Sequence, residues 1–160
     1  MTTPAIDRFL AAAAAAGVDV AVSRFPEGTR TAADAAAAIG CELGAIVKSL
    51  VFVAELGDDS RAVMALVSGA NRADTDKLTL LFGATRVRQA NAEEARSATG
   101  FAIGGTPPIG HATPIELVID EDLMVFAEVW AAAGTPDSVW PIEPAKLVDI
   151  TGAPVVEVKP

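Results

Sequence analysis

The chain has 160 residues, of which 51% are hydrophobic and 21% charged, and its formal net charge at pH 7 is −9. This length accommodates one domain with a sizeable core, and the charged fraction is too ordinary for a disordered chain. The acidic balance argues against a protein that coats nucleic acid through general electrostatic attraction. From the length we therefore expect one domain over residues 1–160. The single cysteine, Cys41, permits no internal disulfide, so we expect a reducing compartment.

The start of the chain resembles a targeting segment only superficially. Its alanine-rich stretch is interrupted by Asp7 and Arg8, and no basic segment precedes it, so we expect no signal peptide. No apolar run approaches the roughly 20 residues that span a bilayer. The chain is therefore predicted to be soluble and cytoplasmic.

In the first half of the chain, caps and alternating apolar residues predict short helices and strands. A proline after Thr3 is typical of a first helical turn, and two apolar runs around a GDDS turn predict a hairpin. The predicted elements are a helix from Thr3 to near Gly17, a strand over 18–25, a helix from Thr31 to Gly40, strands over 45–55 and 61–69, and a helix from Asp74 to Phe82.

The second half continues the same alternation of short elements. They are a strand over 85–90, a helix from Asn91 to Gly100, a strand over 115–119, a turn at 120–124, strands over 125–131 and 138–142, a helix from Pro144 to Thr151, and a strand over 154–158. Short strands mixed with short helices indicate an α/β or α+β domain with a mixed sheet.

Basic residues are concentrated in the middle of the chain. Residues 48–96 contain seven basic and seven acidic side chains, whereas residues 97–160 contain two basic and nine acidic ones. Two interpretations remain open, a solvated mixed-charge surface or a local basic face. The face would consist of Lys48, Arg72, Lys77, Arg86 and Arg88.

Few residues are suited to metal or nucleophilic chemistry. One histidine and one cysteine cannot supply a usual zinc site, and the acidic residues show no calcium-loop spacing. His111 is the only candidate base for a catalytic triad, and no serine lies in a G-x-S-x-G turn. Cys41 precedes Glu42, which does not lower a thiol pKa, so we interpret it as an inert thiol. We expect no metal and no cofactor.

Lys48 lies in the apolar stretch AIVKSLVF, which predicts a buried strand. On a strand its side chain shares a face with Ile46 and Leu50. A lysine on an apolar face must extend to solvent, pair with an acid, or point into a cavity. The residue is therefore either a lysine at a sheet edge or a pocket lysine directed at an anionic or carbonyl group.

The segment TGFAIGGTPPIGH (99–111) contains four glycines, two prolines and the only histidine. This composition excludes a helix interior or a central strand. In a structural interpretation, Gly100 ends a helix and Pro107–Pro108 forms a rigid turn. In a functional one, successive glycines let backbone N–H groups approach a ligand and hold an anion or oxyanion. The spacing matches neither a P-loop nor a dinucleotide-binding fingerprint.

The lysine strand and this loop together resemble the YbaK/EbsC family of trans-editing aminoacyl-tRNA deacylases, which is related to the insertion domain of bacterial prolyl-tRNA synthetase. The similarity extends over about four-fifths of the chain, from TAADAAAAIGCELGAIVKSLVF (31–52) to residue 153. The G-G-x-x-P-x-G motif of the family falls on Gly104, Gly105, Pro108 and Gly110. The resemblance implies a curved mixed sheet, partly barrel-like and flanked by short helices. It also implies hydrolysis of mischarged aminoacyl-tRNA, with tRNA-Pro carrying a small wrong amino acid as the expected substrate.

The resemblance further implies a role for each part of the site. Lys48 would hold the adenosine–aminoacyl end of the tRNA through phosphate or ester oxygens. Backbone amides around Gly104, Gly105 and Gly110 would orient the ester carbonyl and stabilise its oxyanion. Seven residues would bind the substrate: Phe25, Thr31, Ile103, Pro108, His111, Ala132 and Gly134.

Two details of the chemistry stay open at this point. His111 is either a general base, which its ordinary pKa of about 6.5 permits, or a capping or surface residue. The segment Ala132-Ala133-Gly134 stands where family members that remove cysteine have Ser-Gly-Gly, which argues against a cysteine substrate.

The expected partner is the 3′ acceptor end of an aminoacyl-tRNA. Because the protein is acidic, a synthetase or an elongation factor is a further candidate partner. An alternative function is a non-catalytic module that binds a nucleotide or a tRNA acceptor end. A small-molecule esterase is the third alternative, and it lacks a nucleophile.

Overall fold

The structure is a computed structural model that describes residues 3–29 and 31–160. Its helices are α1 (Pro4–Ala15), α2 (Ala32–Ile39), α3 (Thr75–Leu81), α4 (Ala92–Thr99) and α5 (Pro144–Thr151), with short 3-10 helices at Leu43–Ala45 and Glu121–Val125. Its strands are β1 (Ser23–Arg24), β2 (Val47–Leu56), β3 (Asp59–Ser68), β4 (Arg86–Gln89), β5 (Glu116–Asp120), β6 (Val129–Ala132), β7 (Ser138–Ile142) and β8 (Val155–Val156).

Side-chain caps begin helices α1 to α4, and the predicted starts of these helices are confirmed. Thr3, Thr31 and Asp74 each accept a hydrogen bond from a backbone N–H in the first turn of α1, α2 and α3. Asn91 begins α4 with a reciprocal capping box in which Glu94 bonds back to the Asn91 N–H. These caps satisfy N–H groups that have no partner inside the helix.

The larger sheet has five strands in the order β4-β2-β3-β5-β8. β2 and β3 form the predicted hairpin, paired in register from Val47 opposite Ser68 to Leu56 opposite Asp59. β4 adds antiparallel to β2, whereas β5 and β8 add in parallel beyond β3. The predicted mixed sheet is therefore confirmed.

The smaller sheet has three antiparallel strands in the order β1-β7-β6. It approaches the larger sheet where Ile46, just before β2, pairs in parallel with Trp130 of β6. The α/β class is confirmed, but the partly barrel-like sheet is a wrong expectation. Two sheets form instead of one, and neither closes on itself within the described residues, because they are bridged only by the pair of Ile46 with Trp130.

Three predicted strands are shorter than the apolar patterns indicate. Only Ser23–Arg24 of the segment 18–25 pairs with another strand, although Val18, Val20 and Val22 pack against the core. The segment 125–131 begins as a strand only at Val129, because Asp120 caps a 3-10 helix in front of it. The segment 154–158 pairs only over 155–156. An alternating pattern indicates that one face of a segment is buried. The segment becomes a strand only where a neighbouring strand is also available for pairing.

The main core lies between helix α1 and the two sheets. Phe9 of α1 packs against Trp140 of β7 with ring centroids 5.0 Å apart, and both side chains are fully buried. A second cluster on the other face of the larger sheet includes Phe52, Leu78 and Phe82. None of the helices in the described part of the chain has the length and apolarity that crossing a membrane requires.

Candidate functional site

A cavity of about 320 Å³ opens between the start of β2 and the smaller sheet. Its size is at the lower end of the range for small-ligand sites, about 300–1,000 Å³. Its wall comes from β2, β6, β7, the first half of α2 and the glycine–proline loop. Among the described residues it is lined by Thr29, Thr31, Ala32, Ala35, Ile46, Val47, Lys48, Ser49, Leu50, Ile103, Gly104, Thr106, Trp130, Ala131, Ala132, Pro136, Ser138 and Val139.

Lys48 is the one charged side chain among these lining residues. It is half-buried, and its ammonium donates a hydrogen bond to the backbone carbonyl of Asn71. Within residues 3–29 and 31–160, no carboxylate lies in ion-pair contact with this ammonium. Burial lowers the pKa of Lys48, the negative charge of Asp120 raises it, and the positive charge of Arg72 lowers it.

The loop forms a tight turn at the rim of the cavity. Gly105 N–H donates to the Ala102 carbonyl at 3.0 Å, and Gly104 occupies the third position of this turn with φ +86°. A positive φ at that position is typical of a type II turn and favours glycine. The amides of Gly104 and Thr106 donate to no described residue, and both residues line the cavity. Two residues that line the cavity thus have backbone N–H groups without a hydrogen-bond partner among the described residues.

The unpaired edge of β2 forms another side of the cavity. β4 pairs with β2 only over 52–55, and the Val51 carbonyl accepts from Ala90 N at 3.1 Å. Because backbone groups of alternate residues in an antiparallel ladder point to the same side, the N–H and C=O of Ser49 face this open edge. The Ser49 hydroxyl is buried without a hydrogen-bond partner among the described residues.

Three glycines that the resemblance placed in the site pack against backbone or helix α1 instead of lining the cavity. A Cβ on Gly105 would lie 2.8 Å from the Thr135 backbone, and one on Gly134 would lie 2.7 Å from the Ala5 carbonyl oxygen. A Cβ on Gly110 would lie 3.0 Å from the Ala12 Cβ. These glycines permit close packing of the chain on itself, and the Gly105 amide is already used in the turn.

Phe25 and Pro108 also lie away from this cavity. Phe25 lines a second cavity of about 230 Å³, together with Pro26, Glu27, Gly28 and Ala38. Pro108 is buried in the loop. Of the predicted substrate-binding residues, the structure therefore brings Thr31, Ile103 and Ala132 together with Lys48.

His111 lies outside the cavity lining and caps its own loop. Its Nε2 is 2.7 Å from the Pro107 carbonyl oxygen, and since a carbonyl only accepts, Nε2 bears the proton. Burial lowers the pKa of His111. The geometry is that of a structural histidine.

We expect this histidine to make stability depend on pH. Because its folded-state pKa is lowered, its stabilising effect is complete above the ordinary histidine pKa of about 6.5 and decreases as the pH falls below it. His111→Gln retains a donor for Pro107 and cannot titrate. Urea unfolding midpoints of the variant should therefore decrease less between roughly pH 7 and 5, where one proton accounts for at most about 1.4 kcal/mol per pH unit. Equal slopes in the two proteins would exclude this role.

Two of the five residues of the predicted basic face form ion pairs with acidic side chains. Arg88 binds Glu55 at 3.0 Å and Glu94 at 2.8 Å, and Lys77 binds Glu157 at 3.3 Å. These contacts raise the pKa of Arg88 and lower that of Glu94 to about 2. Around Lys77 and Arg88 the surface consequently carries charges of both signs.

Sequence reasoning missed several lining residues, above all Thr106, Trp130 and Ser138. Trp130 and Ser138 line the cavity because β6 and β7 pair with each other beside β2, and Thr106 lines it from the glycine–proline loop, arrangements that no local pattern indicates. Burial raises the pKa of the Cys41 thiol. Within the described residues, no group of three or more His, Cys, Asp or Glu side chains is arranged to hold a metal ion.

Comparison with known proteins links this geometry to a family. The profile of the family described as the aminoacyl-tRNA editing domain matches residues 26–150. A solved structure described as a candidate trans-editing enzyme for prolyl-tRNA synthetase superposes with a TM-score of 0.92 at 47% identity, covering 100% of this chain and 99% of the other.

Two sequence relatives point the same way. The uncharacterised protein YwhH of Bacillus subtilis is 30% identical over 130 residues, which cover 81% of this chain and 80% of YwhH. EbsC of Enterococcus faecalis, named as a candidate Cys-tRNA(Pro)/Cys-tRNA(Cys) deacylase, is 25% identical over 128 residues, which cover 80% of this chain and 76% of EbsC. As the resemblance to YbaK/EbsC predicted, the chain belongs to the aminoacyl-tRNA editing domain family.

Proposed function

We propose that the protein is a deacylase that acts in trans, as one domain over residues 1–160, on mischarged aminoacyl-tRNA. The observation on which this rests is the half-buried Lys48, which lines the same cavity as Gly104 and Thr106, two residues whose backbone amides have no partner among the described residues. A fixed cation and backbone donors are the groups that an ester needs to have its oxygens bound as charge develops.

The proposed reaction is attack of water on the ester carbonyl carbon. The new C–O bond forms as the carbonyl becomes an oxyanion, which the Gly104 and Thr106 amides stabilise. Collapse then breaks the bond to the ribose oxygen, which takes up the proton released by the water, and leaves free amino acid and uncharged tRNA. Lys48 holds the phosphate or ester oxygens in place. Because an aminoacyl ester is already activated, orientation of the reactants supplies much of the acceleration, up to about 7–11 kcal/mol.

The lining favours a small amino acid. Thr31, Ala35, Ala132 and Val139, which have small side chains, line the cavity together with the large Trp130. Such an apolar wall distinguishes one methylene by only about 1–3 kcal/mol, so several small residues should be accepted at different rates. One candidate editing protein is described as acting for prolyl-tRNA synthetase and the other on both Cys-tRNA(Pro) and Cys-tRNA(Cys). The tRNA common to both descriptions supports tRNA-Pro as the carrier and prolyl-tRNA synthetase as a partner.

The test is a deacylation screen of purified protein. Transfer RNA for proline and other tRNAs are charged with Ala, Cys, Ser, Thr or 2-aminobutyrate, and release of the amino acid is followed above the uncatalysed rate. We expect hydrolysis of at least one small-residue tRNA-Pro ester, unchanged by EDTA. Salt-dependent binding without release from any tRNA would instead favour the binding module, and neither binding nor release would contradict both functions.

A further inference from the structure

We propose that Asn71 and Asp120 are positioning residues that hold the Lys48 ammonium at the cavity wall. Neither residue lines the cavity, and both act through the segment that follows β3. The inference rests on the proposed function for what Lys48 does, and on geometry alone for what holds Lys48 in place.

Asp120 is the anchor of this arrangement. It is the last residue of β5, and the residue is 1% exposed. Its Oδ2 accepts from Ser68 N at 3.0 Å and from Asn71 Nδ2 at 2.9 Å, and its Oδ1 accepts from Asp122 N at 2.9 Å. A buried carboxylate with this many donors fixes the backbone around it.

Asn71 joins the anchor to the lysine. Its side-chain amide also donates to Asp122 Oδ2 at 2.8 Å, and its N–H donates to the Ser68 carbonyl at 2.9 Å. Its own carbonyl, held in this way, accepts the hydrogen bond from Lys48. The position of the ammonium therefore depends on a chain of contacts that begins at a buried strand end.

The Lys48 ammonium is bound by a neutral acceptor, the Asn71 carbonyl, which leaves its positive charge available to a substrate. An ammonium has three N–H donors, and a carbonyl uses one of them without neutralising the charge. A carboxylate in direct contact would compete with the oxygens of an anionic substrate. The negative charge of Asp120 instead raises the pKa of Lys48 without an ion-pair contact, and the positive charge of the exposed Arg72 lowers it. The cavity lining adds no other charged side chain among the described residues.

The first test uses the two asparagines of the chain. Asn71→Ala removes the link to Asp120, and we expect kcat for deacylation to decrease by about tenfold or more with little change in KM, since small displacements of a reacting group are costly. Asn91→Ala makes the same chemical change at the cap of α4, and it should reduce stability without reducing kcat. Wild-type kcat in Asn71→Ala, or an equal loss in both variants, would overturn the proposal.

The second test does not depend on activity. The chain has four lysines, so the Cε resonance of Lys48 is assignable by substitution and its pKa is measurable by NMR titration. We expect Asp120→Asn to lower this pKa and Arg72→Gln to raise it, and the alkaline limb of kcat/KM to move in the same two directions. General loosening of the fold would move both variants the same way and would overturn the proposal.

The two tests separate this inference from the proposed function. Opposite pKa shifts without deacylation of any substrate would leave the positioning of Lys48 intact and contradict the enzyme. Deacylation that proceeds unchanged in Asn71→Ala would contradict the positioning and leave the enzyme intact. Should Asp120→Asn not fold, the comparison of Asn71→Ala with Asn91→Ala decides the question.

Discussion

Lys48→Met is expected to reduce deacylation by about 10²–10³-fold, the cost of removing one preorganised donor from a developing charge. Methionine keeps the apolar stem that packs in the cavity wall and removes the ammonium. The measurement is kcat/KM on the most reactive mischarged tRNA, with the uncatalysed hydrolysis subtracted. The variant should keep its far-ultraviolet circular dichroism and lose at most the stability that the hydrogen bond to the Asn71 carbonyl supplies, because Lys48 makes no ion pair among the described residues.

Two controls make this result specific. Lys77→Met removes a lysine that pairs with Glu157 away from the cavity, and it should deacylate at the wild-type rate. Lys48→Arg keeps the charge but replaces a compact ammonium with a planar fork, so partial activity is expected. Full activity in Lys48→Met would remove this residue from the mechanism.

Gly134→Ala is expected to destabilise the protein by roughly 2–4 kcal/mol, the sum of backbone strain and steric overlap. Gly134 has φ +119°, a conformation that a side chain disfavours, and its Cβ would lie 2.7 Å from the Ala5 carbonyl oxygen. The steric overlap cannot be relieved by movement of a flexible side chain, because the new methyl group would contact the backbone of helix α1. The free energy of unfolding in urea measures the effect.

The matched control is Gly17→Ala. Gly17 has φ +74°, but no atom lies within 4 Å of the position that a new methyl group would occupy, so only the conformational cost of about 1 kcal/mol applies. The excess loss in Gly134→Ala over Gly17→Ala measures the steric overlap with α1 together with the additional backbone strain at φ +119°. Equal losses would show that this contact does not restrict position 134.

Local patterns were sufficient for much of the architecture. Thr31, Asp74 and Asn91 predicted where helices begin, because a cap is a contact between residues three or fewer positions apart. The β2–β3 hairpin followed from two apolar runs around a short turn. The unusual lysine in an apolar strand and the dense glycine–proline loop were visible for the same reason, since each departs from the composition that its neighbours establish.

Contacts between distant segments decided the rest. Gly105 contacts the Thr135 backbone and Gly110 contacts α1, so two of the loop's four glycines serve packing. Gly100 ends α4, and Gly104 lines the cavity together with Thr106. Arg88 finds Glu55 on the neighbouring strand, which removes it from the predicted basic face. The Lys48 ammonium donates a hydrogen bond to the Asn71 carbonyl, and the Asn71 side chain donates one to Asp120. Composition shows which groups a chain possesses, but folding decides which of them meet, because pairing partners lie tens of residues apart and are chosen by strand order and by the burial of opposing faces.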